Sequence, residues 1–314
     1  MNTRRFDSKC HATTCALLAT LSLLATTGCG PADSEALAPP LARQEQSERA
    51  DNGLSFNGLS FNGLSFNGLS FNGLSFDGAT PDSFNTWFQA NPAQANVVMH
   101  YVVRCAVPAN QTRSYLAPFN GQRYTWAGGL GLAPGWAAGN AATEAEEQVV
   151  SACLAAHANR LNTCVPISVL GQDAAGTPIS FTAQELASYS RKEACFFGNA
   201  FRGEGLFVAH ERTPLGPSES TSRACGGLLD GGGEAATPCA PMTYAGACTS
   251  QCDLDPTGTW FVACRRNGIT YRPLTTRLQP ESIHTCGDGV CQATERCGTS
   301  NRYDSCGLDC GPCP

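Results

Sequence analysis

The residues best suited to catalysis are a cysteine and a histidine four positions apart, Cys153 and His157. Side chains at this spacing lie on the same face of a helix, where an imidazole beside a thiol lowers the thiol pKa and favours the nucleophilic thiolate. The alternative is structural, because Cys153 also falls on the apolar stripe of its predicted helix, in a chain rich in cysteine. We expect a disulfide at Cys153 and a helix-face role for His157, and we assign no catalytic residue.

Acidic residues at two places suggest calcium, the one cofactor for which the sequence offers candidate ligands. The run from Asp253 to Gly258 resembles the start of an EF-hand loop, but its twelfth position is Cys264 rather than the bidentate Glu that such a loop requires. We therefore predict a turn there. Three acids near the C-terminus offer the hard oxygen ligands that Ca²⁺ prefers, or else are solvated acids in turns: Asp288, Glu295 and Asp309.

Other catalytic signatures are missing from the sequence. There is no Gly-x-Ser-x-Gly elbow, no phosphate-binding loop and no dinucleotide fingerprint, and His210-Glu211 lacks the second histidine of a zinc-protease helix. The formal net charge is −6 and no cluster of Lys and Arg occurs, which argues against a nucleic-acid partner. The enzyme question stays open at this point, with a non-enzymatic function favoured.

Cysteine is the most informative residue type. Of the 18 cysteines, Cys10 and Cys15 precede the predicted cleavage site and Cys29 lies at it. The remaining fifteen are dense enough to predict a disulfide framework in an oxidising compartment, and their odd number leaves one unpaired or paired between chains. These candidates are Cys105, Cys153, Cys164, Cys195, Cys225, Cys239, Cys248, Cys252, Cys264, Cys286, Cys291, Cys297, Cys306, Cys310 and Cys313.

Two pairings are specific enough to state as hypotheses. Cys105 and Cys153 each lie on the apolar stripe of a predicted helix, so both should face one core, where packed helices bring cysteines into bonding range. The second hypothesis joins Cys164 to Cys195. A Cys105–Cys153 bond would consume the thiol that a catalytic Cys153 needs.

The N-terminus predicts export. Basic residues at positions 4, 5 and 9 precede the apolar run Ala16–Ala25, which is the layout of a signal peptide and is shorter than the roughly 20 apolar residues of a membrane helix. The following Thr26-Thr27-Gly28-Cys29 resembles a bacterial lipobox, which implies a signal peptide over 1–28 and lipidation of Cys29. The alternative is ordinary cleavage with Cys29 as a free thiol. By resemblance to enterobacterial sorting, the absence of Asp after Cys29 implies the outer membrane.

The residues after Cys29 form two low-complexity segments. Residues 29–51 are polar and predict a flexible tether, and Asn-Gly-Leu-Ser-Phe then occurs five times within residues 52–78. The repeat is similar to pentapeptide-repeat solenoids, but five copies give little more than one coil, and stacked coils are needed to bury a core. We predict a spacer; the alternative is a Leu/Phe segment that binds a partner or self-associates.

Residues 79–284 predict a disulfide-stabilised α+β domain. Asn91-Pro92 and the pairs Thr143/Glu146 and Thr182/Glu185 are helix-start signals. Asn120-Gly121 and Asn267-Gly268 predict hairpins over Tyr115–Trp126 and near the end of the domain. The stretch from Gly203 to Gly246 is expected to be loop-like.

The last segment, residues 285–314, contains six cysteines and almost no aliphatic residues, so it can fold only as a disulfide module. Its CGDG-x-C … D-C-G-x-C pattern resembles short modules in secreted proteins of myxobacteria and other bacteria. The VVRCAV, VVSACLAAH and FFGNAF stretches of the central domain resemble uncharacterised myxobacterial lipoproteins. Neither resemblance implies an activity.

Together these features favour a cell-envelope lipoprotein, held to the outer membrane by its lipid, that acts as a surface module for an envelope or extracellular ligand. One alternative is a secreted hydrolase or thiol enzyme. Another is a structural or adhesive matrix protein that uses the pentapeptide array. A repeat ordered against the domain would favour the last, and an unbridged Cys153 beside His157 would favour the enzyme.

Overall fold

The computed structural model describes residues 54–55, 82–159, 165–211, 215, 218–221, 223, 242–292, 294–298 and 305–313. The predicted signal peptide, Cys29 and the predicted tether lie outside these residues, as do Cys164, Cys225, Cys239 and all of the repeat except Leu54–Ser55. In the described part of the chain no helix is both long enough and apolar enough to cross a membrane.

The helices begin where the sequence places their caps. Helices α1 (Asp82–Ala90) and α2 (Pro92–Ala106) are separated by Asn91, whose side chain accepts a hydrogen bond from the Gln94 N–H. After the short helix α3 (Pro134–Ala137), helix α4 (Glu144–Ala156) begins with a complete capping box of Thr143 and Glu146. Helix α5 (Ala183–Ser188) is capped by Thr182.

Two hairpins also form as predicted. Strands β2 (Thr112–Leu116) and β3 (Arg123–Ala127) pair antiparallel around Asn120-Gly121. Near the end of the domain, β11 (Phe261–Arg266) and β12 (Ile269–Tyr271) pair around Asn267-Gly268, and β10 (Cys252–Leu254) adds to β11. Asn267 and Gly268 both have positive φ, 52° and 78°, as the two-residue turn of such a hairpin requires.

A five-stranded sheet with the order β5-β13-β6-β7-β9 organises the domain. Its strands are β5 (Ile167–Gly171), β6 (Arg191–Asn199), β7 (Gly205–His210), β9 (Met242–Ala247) and β13 (Leu274–Leu278). Neighbouring strands are antiparallel except for β7 and β9. The expectation of a loop over 203–246 was wrong for β7, for the short strand β8 (Glu219–Ser220) and for most of β9. In β7 the four central residues of Gly205–His210 are a buried apolar run of the kind found in central strands.

The two faces of this sheet bury different cores. On one face Ala194, Phe196 and Val208 belong to a cluster that includes the apolar residues of α2 and α4. On the other face Cys195 and Phe197 belong to a smaller cluster that includes residues of β10, β11 and β12. Successive residues of β6 therefore serve opposite cores, as expected for a strand covered on both faces.

Six disulfides connect the described residues, so the chain is a disulfide-rich α+β protein. Cys105–Cys153 forms as the helical spacing predicts. The hypothesis of Cys164–Cys195 was wrong, because Cys195 is bonded to Cys248, at the start of the short helix α6 (Cys248–Gln251). The other four bonds are Cys252–Cys264, Cys286–Cys306, Cys291–Cys310 and Cys297–Cys313.

The three disulfides of the C-terminal segment join its first cysteine to the fourth, the second to the fifth and the third to the sixth. The segment also contacts the domain: β14 (His284–Thr285) pairs with β8 (Glu219–Ser220), and the hydroxyl oxygens of Ser220 and Thr294 lie 2.7 Å apart. A six-cysteine interlocked segment is therefore attached to the domain by both backbone and side-chain hydrogen bonds.

Candidate functional site

The catalytic pair suggested by the sequence lies at the C-terminal end of α4, but it contains no thiol. The Sγ atom of Cys153 is bonded to Cys105, whose Cα lies 6.0 Å from that of Cys153, and both residues are fully buried. Because the sulfur is bonded, it is unable to act as a nucleophile. This arrangement argues against the thiol-enzyme alternative.

His157 instead ends the helix. Its Nδ1 lies 2.8 Å from the carbonyl oxygen of Cys153 and 3.6 Å from the Cys153 Sγ. A carbonyl oxygen only accepts, so Nδ1 carries the hydrogen and donates it to one of the last carbonyls of α4. His157 is fully buried and its ring packs 5.6 Å from that of Tyr101 on α2. The histidine therefore fixes the point at which the chain leaves the helix.

The chain leaves α4 as a short strand, and this strand is the candidate functional site. Strand β4 (Ala158–Asn159) pairs in parallel with β1 (Leu54–Ser55), with Leu54 opposite Ala158 and Ser55 opposite Asn159. Leu54 and Ser55 are the third and fourth residues of the first pentapeptide copy. These two residues of the repeat are thus joined to the domain through main-chain pairing, at the C-terminal end of α4.

A buried ion pair holds β4 from the domain side. The Nη1 of Arg223 lies 3.3 Å from the carbonyl oxygen of Ala158, and its Nε and Nη2 donate to the two carboxylate oxygens of Glu193 at 2.8 Å and 3.2 Å. Thr276 donates its hydroxyl to the same carboxylate at 2.7 Å. Arg223 and Glu193 are each 1% exposed, so the bidentate geometry and the added hydrogen bonds are what make their burial tolerable.

A β-bulge explains why Glu193 points inward. In the pairing of β13 with β6, Thr276 lies opposite Ala194 and Arg277 lies opposite Lys192, so Glu193 is the extra residue. A bulge of this kind re-aims a side chain that regular alternation would place on the other face. The carboxylate consequently reaches Arg223 beneath β4.

The site presents main-chain groups instead of a catalytic constellation. Four features fix β4 in place: the Cys105–Cys153 disulfide, the hydrogen bond from His157, the Arg223–Glu193 pair and the end of α4. Pairing of this kind, in which a strand adds to another through backbone hydrogen bonds, is one of the modes by which proteins bind extended peptides. Sequence reasoning identified Cys153 and His157 but missed Ala158–Asn159, Arg223 and Glu193, since a two-residue strand and a long-range ion pair leave no periodic signal.

The three C-terminal acids named as possible calcium ligands each accept hydrogen bonds from the backbone. Asp288, Glu295 and Asp309 do not form one group with ligand atoms within 4.8 Å of one another, and Asp309 is grouped instead with Cys286 and Cys306. Each carboxylate accepts a main-chain N–H: Asp309 from Gly287 and Gly289, Asp288 from Val290, and Glu295 from Gln292. These hydrogen bonds fit the alternative in which the three residues are acids of turns, and calcium binding stays a prediction.

The acids of the EF-hand-like run form a turn, as predicted. Asp255 accepts hydrogen bonds from the main-chain N–H groups of Thr257, Thr259 and Trp260 at 2.9 Å, 2.6 Å and 3.0 Å, and from the Thr257 hydroxyl. Burial alone would raise the pKa of Asp255, but these hydrogen bonds outweigh it and hold the pKa below its ordinary value. Asp253 lies outside this turn and forms an ion pair with Arg265.

Comparisons of the chain with protein-family models, with curated proteins and with solved structures found no match.

Proposed function

We propose that this chain is an exported cell-envelope lipoprotein whose domain acts as an interaction module for extended peptide segments. In this proposal Cys29 bears the lipid and anchors the chain in the outer membrane, and β4 binds the peptide. The disulfides are consistent with an oxidising, extracytoplasmic compartment. The ligand at β4 is the Leu-Ser dipeptide of an Asn-Gly-Leu-Ser-Phe unit.

The observation that carries the proposal is the pairing of Leu54–Ser55 with Ala158–Asn159. Addition of a strand through backbone hydrogen bonds is a common mode of peptide recognition. The pairing also favours the alternative in which the repeat takes part in binding, over the interpretation of the repeat as a spacer alone.

Because the five pentapeptide copies are identical, the same pairing can also form between neighbouring molecules. The Leu-Ser dipeptide recurs at 59–60, 64–65, 69–70 and 74–75 with the same neighbours. Any copy therefore offers β4 the same strand, and one occupied copy leaves four for the β4 strands of neighbouring molecules. Molecules anchored in one membrane are concentrated in two dimensions, so weak pairings add up to substantial avidity.

The test uses a variant that lacks residues 52–76 and a fluorescent peptide with two Asn-Gly-Leu-Ser-Phe units. We expect saturable binding in fluorescence anisotropy, and weaker binding to the full chain because its own copies compete at high effective concentration. The control peptide has proline in place of each leucine, which removes a main-chain donor. It should bind about tenfold more weakly or worse, a difference of about 1.4 kcal/mol.

A matched pair of variants locates the binding site on the domain. Asn159→Pro removes the N–H of β4 and should abolish peptide binding, whereas Asn159→Ala keeps that N–H and should bind normally. Circular dichroism checks that both variants fold. Equal binding of the leucine and proline peptides, or unchanged binding by folded Asn159→Pro, would contradict recognition at β4.

A further inference from the structure

Four cysteine sulfurs meet on the face of the central sheet opposite α4. Cys195 of β6 is bonded to Cys248 at the start of α6, and Cys252 of β10 is bonded to Cys264 of β11. All four residues are at most 8% exposed, and Cys252 is the most exposed of them. Aromatic residues of the same core surround them, including Phe197, Phe207 and Phe261. Two disulfides thus lie side by side in an apolar environment.

The two disulfides are in contact through one sulfur atom of each. The Sγ of Cys195 lies 3.6 Å from the Sγ of Cys252, and the sulfurs of Cys195, Cys252 and Cys264 all lie within 4.8 Å of one another. At 3.6 Å two sulfurs are in van der Waals contact. A thiolate at Cys252 would therefore need to close about 1.5 Å to form a bond of about 2.05 Å with Cys195.

The departing sulfur has polar partners already in place. The main-chain N–H of Cys195 donates to the Sγ of Cys248 at 3.0 Å, and the carbonyl oxygen of Ala209 lies 3.1 Å from the same sulfur. The N–H stabilises negative charge on Cys248 as it leaves, and the carbonyl accepts the S–H once that sulfur is protonated. A good leaving thiol is one of the conditions for fast exchange.

We propose that these two disulfides form an internal thiol–disulfide relay. An external dithiol first reduces Cys252–Cys264; the dithiol becomes a disulfide, and Cys252 and Cys264 become thiols. The Cys252 thiolate then attacks the Sγ of Cys195, forms Cys195–Cys252 and breaks Cys195–Cys248. The electron pair of the broken bond leaves on Cys248, which takes up the proton that Cys252 lost. The products are one disulfide and two thiols, Cys248 and Cys264.

The relay changes what the disulfides hold together. Before exchange, Cys195 ties β6 to the first residue of α6, and the second disulfide ties β10 to β11. After exchange, β6 is tied to β10 through Cys252, and both Cys248 and Cys264 are released. Reducing equivalents that enter at Cys252, the least buried of the four residues, therefore reach the fully buried Cys248. A protein dithiol of the thioredoxin class is the chemical type of reductant that would start the relay.

Cys264→Ser tests the relay without any reductant. This substitution leaves Cys252 as a thiol beside an intact Cys195–Cys248 bond, so the exchange becomes intramolecular and conserves mass. Acid quenching, alkylation and non-reducing peptide mapping should find the label on both Cys252 and Cys248, together with a Cys195–Cys252 linked peptide. Thiols of similar pKa exchange with an equilibrium constant of about one, so the two labels should be comparable.

Cys105→Ser is the matched control. It leaves Cys153 as a buried thiol in a cluster that has no third sulfur among the described residues. Among the cysteines paired in the structure, Cys153 alone should therefore be labelled, and the other five bonds should stay unchanged. A label confined to Cys252 in folded Cys264→Ser would overturn the relay. So would a new bond from Cys252 to a cysteine other than Cys195.

Limited reduction of the wild-type chain provides a second measurement that does not depend on a variant. With limiting dithiothreitol, the thiols trapped among these four cysteines should be Cys264 together with comparable amounts of Cys248 and Cys252. Recovery of Cys252 and Cys264 alone would refute the second step.

Discussion

Replacing Cys105 and Cys153 together by alanine removes the covalent link between α2 and α4 while keeping both side chains small and apolar. Both positions are fully buried in the core. Alanine at these positions is apolar, so it introduces no buried polar group. The double substitution also avoids a lone thiol that could form new disulfides. The change therefore reports on the constraint that the disulfide places on the unfolded chain.

The expected magnitude follows from the length of chain that the bond closes. The two cysteines are 48 residues apart, for which loop-closure entropy gives about 4 kcal/mol of stabilisation at 25 °C. In a domain of about 200 residues, each kcal/mol corresponds to roughly 2–4 °C in Tm. The double variant should therefore unfold about 8–16 °C below the wild type.

The assay is reversible unfolding in guanidinium chloride, followed by near-UV and far-UV circular dichroism, with a thermal scan alongside. The variant should show a lower midpoint and a larger m value, because its unfolded state is free to expand. Alkylation under denaturing, non-reducing conditions checks that the remaining disulfides are intact in both proteins.

A loss below about 1 kcal/mol would refute the loop-entropy reasoning for this bond. The control removes Cys297 and Cys313, which are 16 residues apart in the C-terminal segment. The same relation gives about 3 kcal/mol for that loop, but the loss should appear in the C-terminal segment and leave the main transition of the domain close to that of the wild type. A large shift of the main transition in the control would show that the two segments unfold together.

Three further changes have direct outcomes. Asp255→Asn should destabilise the domain by about 2 kcal/mol at pH 7, because the carboxylate accepts four hydrogen bonds. The pKa of Asp255 is lowered in the folded state. The difference in unfolding free energy between the wild type and the variant should therefore vanish as pH falls below that folded-state pKa. Arg223→Leu leaves the Glu193 carboxylate buried without its counter-charge and should lower the unfolding free energy by about 3–5 kcal/mol; a loss below 1 kcal/mol would contradict this. Cys29→Ser should release the protein from membranes in a fractionation experiment; retention of the variant there would contradict lipidation.

Local signals in the sequence predicted the local structure well. Asn91 and Thr143 cap their helices because a side-chain oxygen only has to reach an N–H two or three residues away. Asn267-Gly268 forms its turn because both residues tolerate positive φ. These features depend on a few neighbouring residues, so the amino-acid order alone predicts them.

Long-range pairing was predictable only where the sequence defined a face. Cys105 and Cys153 each lie on an apolar helical stripe, and two stripes that face one core bring the sulfurs together. Cys195 lies in a strand that is buried without interruption from Glu193 to Asn199, so no alternation indicated which core it faces or which cysteine it would meet. The sequence also did not predict the Arg223–Glu193 pair or the pairing at β4. The ion pair depends on a β-bulge, and the pairing at β4 depends on residues more than 100 positions away in the repeat.

The opposite faces of β6 make the peptide site and the sulfur relay separable. Phe196 lies on the face with α4 and packs 6.0 Å from Arg223, which bonds to β4, whereas Cys195 and Phe197 point to the other core. Exchange at Cys195 rearranges bonds to α6 and β10 only, so it should leave the backbone of β4 unchanged. In the chain without residues 52–76, Cys264→Ser should therefore bind the two-unit peptide with an affinity within about twofold of the unsubstituted variant. Anisotropy titrations and thiol mapping of the same sample measure both properties together. A tenfold change in peptide affinity, which is about 1.4 kcal/mol, would contradict this expectation if the disulfides of that sample have exchanged. Such a result would mean that the sheet couples the peptide site on one face to the sulfurs on the other.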